Sequence, residues 1–370
     1  MTLTRFAAAT LTLTAALALA ACGSDPGPAT PPAADATTGG ECPSGTLTAE
    51  GSSAQKNAIE QVISDYQDKC DGVTVDYNPS GSGSGIKQFS AGLVDFAGSD
   101  SALKSEEKDG VVETDAASKR CENNDAWNLP MVVGPIAVAY NIDGVDGLTL
   151  NAKTLAGIFS GKITKWNDPA IAAVNDGVTL PDAPIQVFFR NGESGTTENF
   201  TKYLQGSAGE AAWSEEPGKT WTGVGSGKEG SDQVAAAVKA TKNSITYVEW
   251  SYAADAGVGV AKIDNGAGAV ELSGESAGLA VAAAKPAGSG NDLKLQLDYA
   301  TKTKGAYPIV LVTYEIACSK GLAADKAALV KSFLAFYASK EEQQSLTDLG
   351  YAPLPEDVRT KVADAVDALQ

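Results

Sequence analysis

An α/β fold with mostly parallel sheets is predicted by three features of this 370-residue chain. Short apolar runs alternate with stretches of helical periodicity from Thr46 to the C-terminus, the order expected when helices cover a parallel sheet. Two long extended runs, Asn128–Asn141 and Tyr307–Glu315, interrupt that rhythm and read as segments crossing from one domain to another and back. Gly/Ser/Thr-rich turns recur where a strand hands over to a helix, which is where ligands sit in open α/β sheets. No internal repeat is evident, and the length accommodates two domains with cores of their own.

Residues 1–21 read as an export signal. Arg5 is its only charge, and an Ala/Leu-rich run from Phe6 to Ala20 follows, too short for a membrane-spanning helix. Its end, Leu19-Ala20-Ala21-Cys22, has the form of a bacterial lipobox, with cleavage before Cys22 and lipid (palmitate among its chains) on the thiol. Residues 22–44 are rich in Pro, Ala, Thr and Gly and read as a disordered tether. Four cysteines remain after Cys22, the first of them Cys42 near the end of this stretch, an even number that in an exported protein suggests two disulfides. If Thr46–Glu50 runs up the sheet and Asn57–Lys69 returns beside it, Cys42 and Cys70 meet at one edge, leaving Cys121 for Cys318.

The elements follow in order. Thr46–Glu50 is a strand, Gly51-Ser52-Ser53 a turn, and Asn57–Tyr66 carries Ala58, Ile59, Val62, Ile63 and Tyr66 at helical spacing. Gly72–Tyr77 is a second strand, and after Ser80–Gly85 a helix is expected from Ile86. The Gly/Ser run resembles a nucleotide-binding P-loop only superficially, because Lys87 is followed by Gln88 and the glycine spacing is wrong. Val94–Asp100 is a strand, and from spacing Asp100 reads as a helix N-cap or as a site residue. Helices are expected at Ala152–Phe159, Asp232–Lys239, Ala277–Ala287 and Asp325–Tyr337, and a strand at Ile245–Trp250. Gly350–Pro355 leads into a final helix.

The stretch that organises the chain is Val187–Phe200, VFFRNGESGTTENF. A strand ends at Arg190, a Gly/Ser/Thr turn follows, and a helix opens near Thr197. Backbone N–H groups, hydroxyls and a helix N-terminus then converge beside a planar cation, which suits an oxyanion. Read alone, Ser194 or Thr196 is equally an ordinary N-cap. Gly51-Ser52-Ser53 and Gly81–Gly85 are junctions of the same kind, and the three together could enclose an anion with neutral donors plus Arg190.

Charge and composition narrow the function classes. A formal net charge of −18 argues against nucleic acid, while leaving a small anion held by local dipoles open. The chain has no histidine, which removes Ser-His-Asp and Cys-His catalysis and His-containing metal sites. No cofactor and no metal are expected, and no catalytic residue is assigned.

At this point the chain resembles the phosphate-binding lipoproteins of the bacterial Pst-type ABC phosphate importer. The stretches that carry the likeness are GSSA (51–54), GSGSGIKQF (81–89), VDFAGSD (94–100), TLAGIFSGKITKWNDPAI (154–171), FRNGESGTTENF (189–200), ITYVEWSYA (245–253) and GYAPLP (350–355). The resemblance implies a type II periplasmic-binding-protein-like fold, two α/β domains joined by two crossing segments with a ligand cleft between them. Residues 45–131 and 307–370 would form domain I and residues 132–306 domain II. It implies a monomeric extracytoplasmic subunit, lipid-anchored to the cell membrane, that delivers inorganic phosphate to ABC permease and ATPase subunits. The implied phosphate ligands are Ser53, Ala54 (through its N–H), Ser82, Asp100, Arg190, Ser194, Gly195 and Thr196.

Two positions depart from the family pattern. Ala54 stands where a larger residue, commonly Phe, is found. The slot two after the arginine, often an Asp paired with it, is Gly192, with Glu193 one later. Asp100 would select phosphate over sulfate, because a carboxylate can accept a hydrogen bond from a ligand OH that sulfate lacks. The alternatives are a receptor for sulfate or molybdate, a secreted phosphatase using Ser194 or Ser82, and a structural surface lipoprotein.

Overall fold

The computed structural model describes residues 42–370. The expected signal segment (1–21), the expected lipidation site Cys22 and all but the end of the expected 22–44 tether lie outside the described residues. From the N-terminal side, β1 (Gly45–Gly51), α1 (Lys56–Lys69), β2 (Val73–Asn78), α2 (Ser82–Ser90), β3 (Phe96–Ser99) and α3 (Glu113–Arg120) precede the long strand β4 (Ala126–Asn141). Next come β5 (Thr149–Asn151), α4 (Ala152–Phe159), α5 (Pro169–Ala172), β6 (Gln186–Arg190) and α6 (Gly195–Tyr203). They are followed by β7 (Ser226–Lys228), α7 (Gly230–Ala240), β8 (Ser244–Glu249) and α8 (Trp250–Ala256). Then come β9 (Gly259–Val260), β10 (Lys262–Asp264), β11 (Ala269–Val270), α9 (Gly274–Ala282), β12 (Lys285–Pro286) and β13 (Leu295–Gln296). The chain returns on β14 (Val310–Cys318) and ends with α10 (Ala324–Tyr337), α11 (Lys340–Ser345) and α12 (Glu356–Asp367).

One sheet path joins β2-β1-β3-β14-β4-β8-β6-β7, with β9 also on β4. The flanks are parallel, β1 with β2 and β3, and β6 with β7 and β8. The centre is antiparallel, because the chain leaves along β4 and returns along β14. The sheet is therefore mixed, where alternation alone suggested mostly parallel pairing. β4 changes partner along its length: Ala126–Pro135 pairs with β14, and Ile136–Asn141 pairs with β8. It is thus shared by a β1 half and a β6 half. All nine residues of β14 are buried, as expected of a strand covered on both faces.

Apolar packing sets each half. In the β1 half, α1 buries Ala58, Ile59, Val62 and Tyr66, and the Tyr66 ring lies 5.4 Å from Phe333 of α10. In the β6 half, Phe200 of α6 stacks 4.4 Å from Tyr247 of β8, and Phe159 of α4 meets it edge-on at 4.9 Å. Phe200→Ala would cost about 3–5 kcal/mol and would loosen the start of α6. Disulfides join Cys42 to Cys70 and Cys121 to Cys318. The second ties the end of α3 to the end of β14.

Three local expectations change. α2 begins at Ser82, four residues before Ile86. Its Gly/Ser run can coil because α2 lies against neighbouring backbone, where a Cβ on Gly85 would stand 2.6 Å from the Glu50 carbonyl oxygen. Asp100 caps no helix, since the next one starts at Glu113 with Val112 as its N-cap. The Ala-rich stretch is helical over Gly274–Ala282 and turns into β12 by Lys285. Among the described residues no helix is long and apolar enough to cross a membrane.

Candidate functional site

The strand–helix junctions expected from the sequence meet between the two halves. From the β6 half come the end of β6 and the start of α6. Tyr247 holds them together: its hydroxyl accepts from the Arg190 N–H at 3.3 Å and bonds the Thr197 hydroxyl at 2.7 Å. Ser194 is the N-cap of α6, its Oγ accepting from the Thr197 N–H at 3.3 Å. From the β1 half come the turn after β1 and the N-terminus of α2.

Arg190 is the centre of charge. It is 3% exposed and forms no ion pair among the described residues. Nη1 donates to Ser231 Oγ at 2.8 Å and to Thr196 Oγ1 at 3.4 Å, and Nε has no partner. Thr196 donates in turn to Glu249 Oε1, whose other oxygen is buried without a partner. A buried guanidinium lacking a direct carboxylate is costly unless something anionic meets it. Glu193 does not serve, because it faces the other half and pairs with Lys87 at 2.6 Å.

Asp100 is built as an acceptor. Its Oδ1 receives Ser52 Oγ at 2.6 Å and Thr313 Oγ1 at 2.7 Å, and its Oδ2 receives Ser82 Oγ at 3.1 Å. Burial raises its carboxyl to about 6; the Ser52 hydroxyl opposes this, the Glu249 charge adds to it, and Thr313 and Ser82 oppose it again. Across the junction, a Cβ on Gly195 would stand 2.5 Å from Ser82 Oγ and 2.6 Å from Asp100 Cβ. Ser53 Oγ lies 3.1 Å from Ser231 Oγ, so the Arg190 cluster and the β1 half are in contact. Ala54 donates its N–H to Ser52 Oγ at 3.0 Å.

Ser53, Ala54, Ser82, Asp100, Arg190, Ser194, Gly195 and Thr196 are all buried around this junction. Further cross-junction bonds hold the halves: Asn199 Nδ2 to the Asp100 carbonyl at 2.8 Å, Gly83 N to the Glu193 carbonyl at 3.1 Å, Lys104 to Glu198 at 3.1 Å and Lys219 to Glu113 at 2.9 Å. Burial would push the Glu198 carboxyl up, but Lys202 and Lys104 outweigh it and hold it at about 2.

Sequence reading missed Ser231, Thr313, Glu249 and Glu315. Ser231 was findable, since Glu229-Gly230-Ser231 is a fourth Gly/Ser junction between a strand and a helix. Thr313 and Glu315 lie inside a buried apolar crossing strand and carry no local signal.

Two α/β halves sharing their central strands, with a lone buried guanidinium and a shielded carboxylate at their junction, define a solute-binding receptor. Residues 36–341 match the PBP superfamily domain. The chain is 44% identical over 387 residues to phosphate-binding protein PstS 3 of Mycobacterium tuberculosis, covering all of both chains. It is 33% identical to phosphate-binding protein PstS of Xylella fastidiosa, covering 88% of this chain and 85% of that protein. In fold it is similar to a high-affinity periplasmic phosphate-binding protein solved with phosphate, with a TM-score of 0.70 at 21% identity over 86% of this chain and 93% of that one. A phosphate-binding protein from Stenotrophomonas maltophilia gives a TM-score of 0.67 at 22% identity over 87% and 94%. The chain belongs to the Pst-type phosphate-binding proteins of the PBP superfamily.

Proposed function

We propose that the protein is the extracytoplasmic inorganic-phosphate receptor of an ABC import system, closing on phosphate and delivering it to permease and ATPase subunits. The observation that carries this reading is Arg190, buried among hydroxyls with no carboxylate of its own, opposite the acceptor Asp100. Phosphate would receive charge-assisted bonds from Arg190 and neutral donors from Ser53, the Ala54 N–H, Ser82, Ser194, the Gly195 N–H and Thr196. Ser52 Oγ would give up the Ala54 N–H to the ligand and keep Asp100. The ligand's own proton would go to Asp100, a bond that sulfate cannot make.

Residues 45–131 with 307–370, and 132–306, are the two bodies proposed to close, hinged along β4 between Met131 and Ile136, the stretch that ends where β4 exchanges β14 for β8. Cys22 would carry the lipid that keeps the receptor at the membrane. Turnover is not part of this reading: the protein binds as a monomer and releases its ligand unchanged. Thermal shift with phosphate, sulfate, molybdate and a chromogenic phosphate ester tests it. Stabilisation by phosphate alone, with no phosphate released from the ester, is expected. Preferential stabilisation by sulfate or molybdate, or ester hydrolysis lost in Ser82→Ala, would overturn it.

A further inference from the structure

Glu315 is a buried carboxylate that the phosphate reading does not use. It lies on β14 two residues beyond Thr313, so both side chains point to one face of the strand. Thr313 holds Asp100. Across the antiparallel pair, Glu315 stands opposite Gly98 of β3. A Cβ on Gly98 would fall 2.2 Å from Gln55 Nε2 and 2.5 Å from the Tyr77 hydroxyl. The missing side chain is thus replaced by those two groups, on the face that Glu315 shares.

Glu315 is fully buried, and neither of its carboxylate oxygens makes a hydrogen bond. The titratable groups that face it are Asp100 at the end of β3, Tyr77 of β2 and Tyr337 of α10. Burial and nearby negative charge hold both phenols well above their ordinary range, so they stay neutral. No lysine or arginine forms an ion pair with Glu315 among the described residues. Asp100, Glu249 and Glu315 together oppose one guanidinium, Arg190. A phosphate dianion adds two more negative charges to a region of low dielectric, where like charges repel strongly.

The geometry points to Glu315 as a positioning residue that must carry a proton while the cleft holds its anion, so that phosphate capture is linked to proton uptake. Its proton keeps the backing of Asp100 neutral, and Asp100 can then remain the sole ionised acceptor for the ligand's OH. Burial lifts the Glu315 carboxyl to about 8; the nearby Gln55 amide dipole, which is not within hydrogen-bonding geometry of it, opposes this only in part, and the Asp100 charge adds to it. The receptor therefore meets the requirement at neutral pH and loses it in alkaline solution.

This inference rests on the phosphate reading, and titration calorimetry with inorganic phosphate separates the two. Above about pH 8 free phosphate is almost wholly the monohydrogen dianion, so the ligand contributes little slope there. Between about pH 8 and 9.5 the parent should lose affinity, approaching tenfold per pH unit, and take up close to one proton in buffers of different protonation heat. Glu315→Gln, or Glu315→Met as a second non-titrating variant, should flatten the profile and reduce the uptake. A parent with level affinity and no uptake overturns the inference, and so does a variant that keeps the parent's slope. Failure of the parent to bind phosphate at about pH 7 overturns the receptor reading and the inference with it.

Discussion

Gly195 and Asp100 approach so closely across the junction that a Cβ on the glycine would lie 2.6 Å from that of the aspartate. Gly195 is the first residue of α6 and has no positive φ, so an alanine there is conformationally cheap and the obstacle is purely contact. Gly195→Ala should fold normally yet hold the halves apart. Phosphate affinity should fall by about a hundredfold or more, the scale of a few kcal/mol of lost closure. Calorimetry reads the affinity, and X-ray scattering with and without phosphate reads the compaction. An alanine variant that binds and compacts like the parent would show that closure does not bring these residues together.

Asp100→Asn keeps the shape but replaces a pure acceptor with a group that can also donate. Phosphate should still bind, while its preference over sulfate, expected to be on the order of 10⁴–10⁵ in a site built around a ligand OH, drops by orders of magnitude. Arg190→Ala should weaken both anions together, because it removes charge and not proton sensing. Ser231→Ala should weaken both by roughly tenfold, the worth of about one buried hydrogen bond, since Ser231 anchors Arg190 Nη1 at 2.8 Å. Undiminished rejection of sulfate by the asparagine variant would remove Asp100 from the selectivity argument.

The stability of the ligand-free protein should fall as pH rises from about 4 to 8. Asp100 is raised from 3.8 to about 6 and Glu315 from 4.5 to about 8, both chiefly by burial. The folded state keeps protons that the unfolded chain has released. That contribution is fully present below the ordinary carboxyl values and is lost as pH climbs through the folded ones. Scanning calorimetry should show Tm lower by at least several degrees at pH 8 than at pH 5, with a shallower slope for Glu315→Gln. A Tm that rises over this window would show that the two carboxyls are not held protonated.

The Cys121–Cys318 bridge closes a sequence separation of 197 residues, a loop for which the chain-entropy model gives about 5 kcal/mol. Cys121→Ala with Cys318→Ala should lower stability by a large part of that amount. The other bridge, Cys42–Cys70, spans 28 residues, and its double-alanine variant should cost less, about 3.5 kcal/mol. Denaturant titration of both variants orders them, and equal losses would show that loop length is not what matters here.

Local chemistry made the β1, β6 and α2 junctions legible, because glycine, serine and threonine between an apolar strand and a periodic helix have few other structural meanings. Arg190 and Ser194 were visible on the same ground, and the family motifs drew Asp100 into their company. Asp100 read alone was indistinguishable from a helix cap, since its role comes from Ser52, Ser82 and Thr313, which reach it from three separate segments. Whether Glu193 would pair with Arg190 was likewise a question of direction: the turn points it at Lys87 on the other half. Glu315 shows the limit most plainly. Periodicity and composition place it in a buried strand, where a carboxylate looks like an error. Only the packing of β14 against β3, with Gln55 and Tyr77 occupying the space over Gly98, places it behind Asp100 and makes it the group proposed to hold a proton there. Short-range sequence determines which backbone donors exist. Which charges face one another depends on contacts between residues hundreds of positions apart, and those are decided by the folded chain.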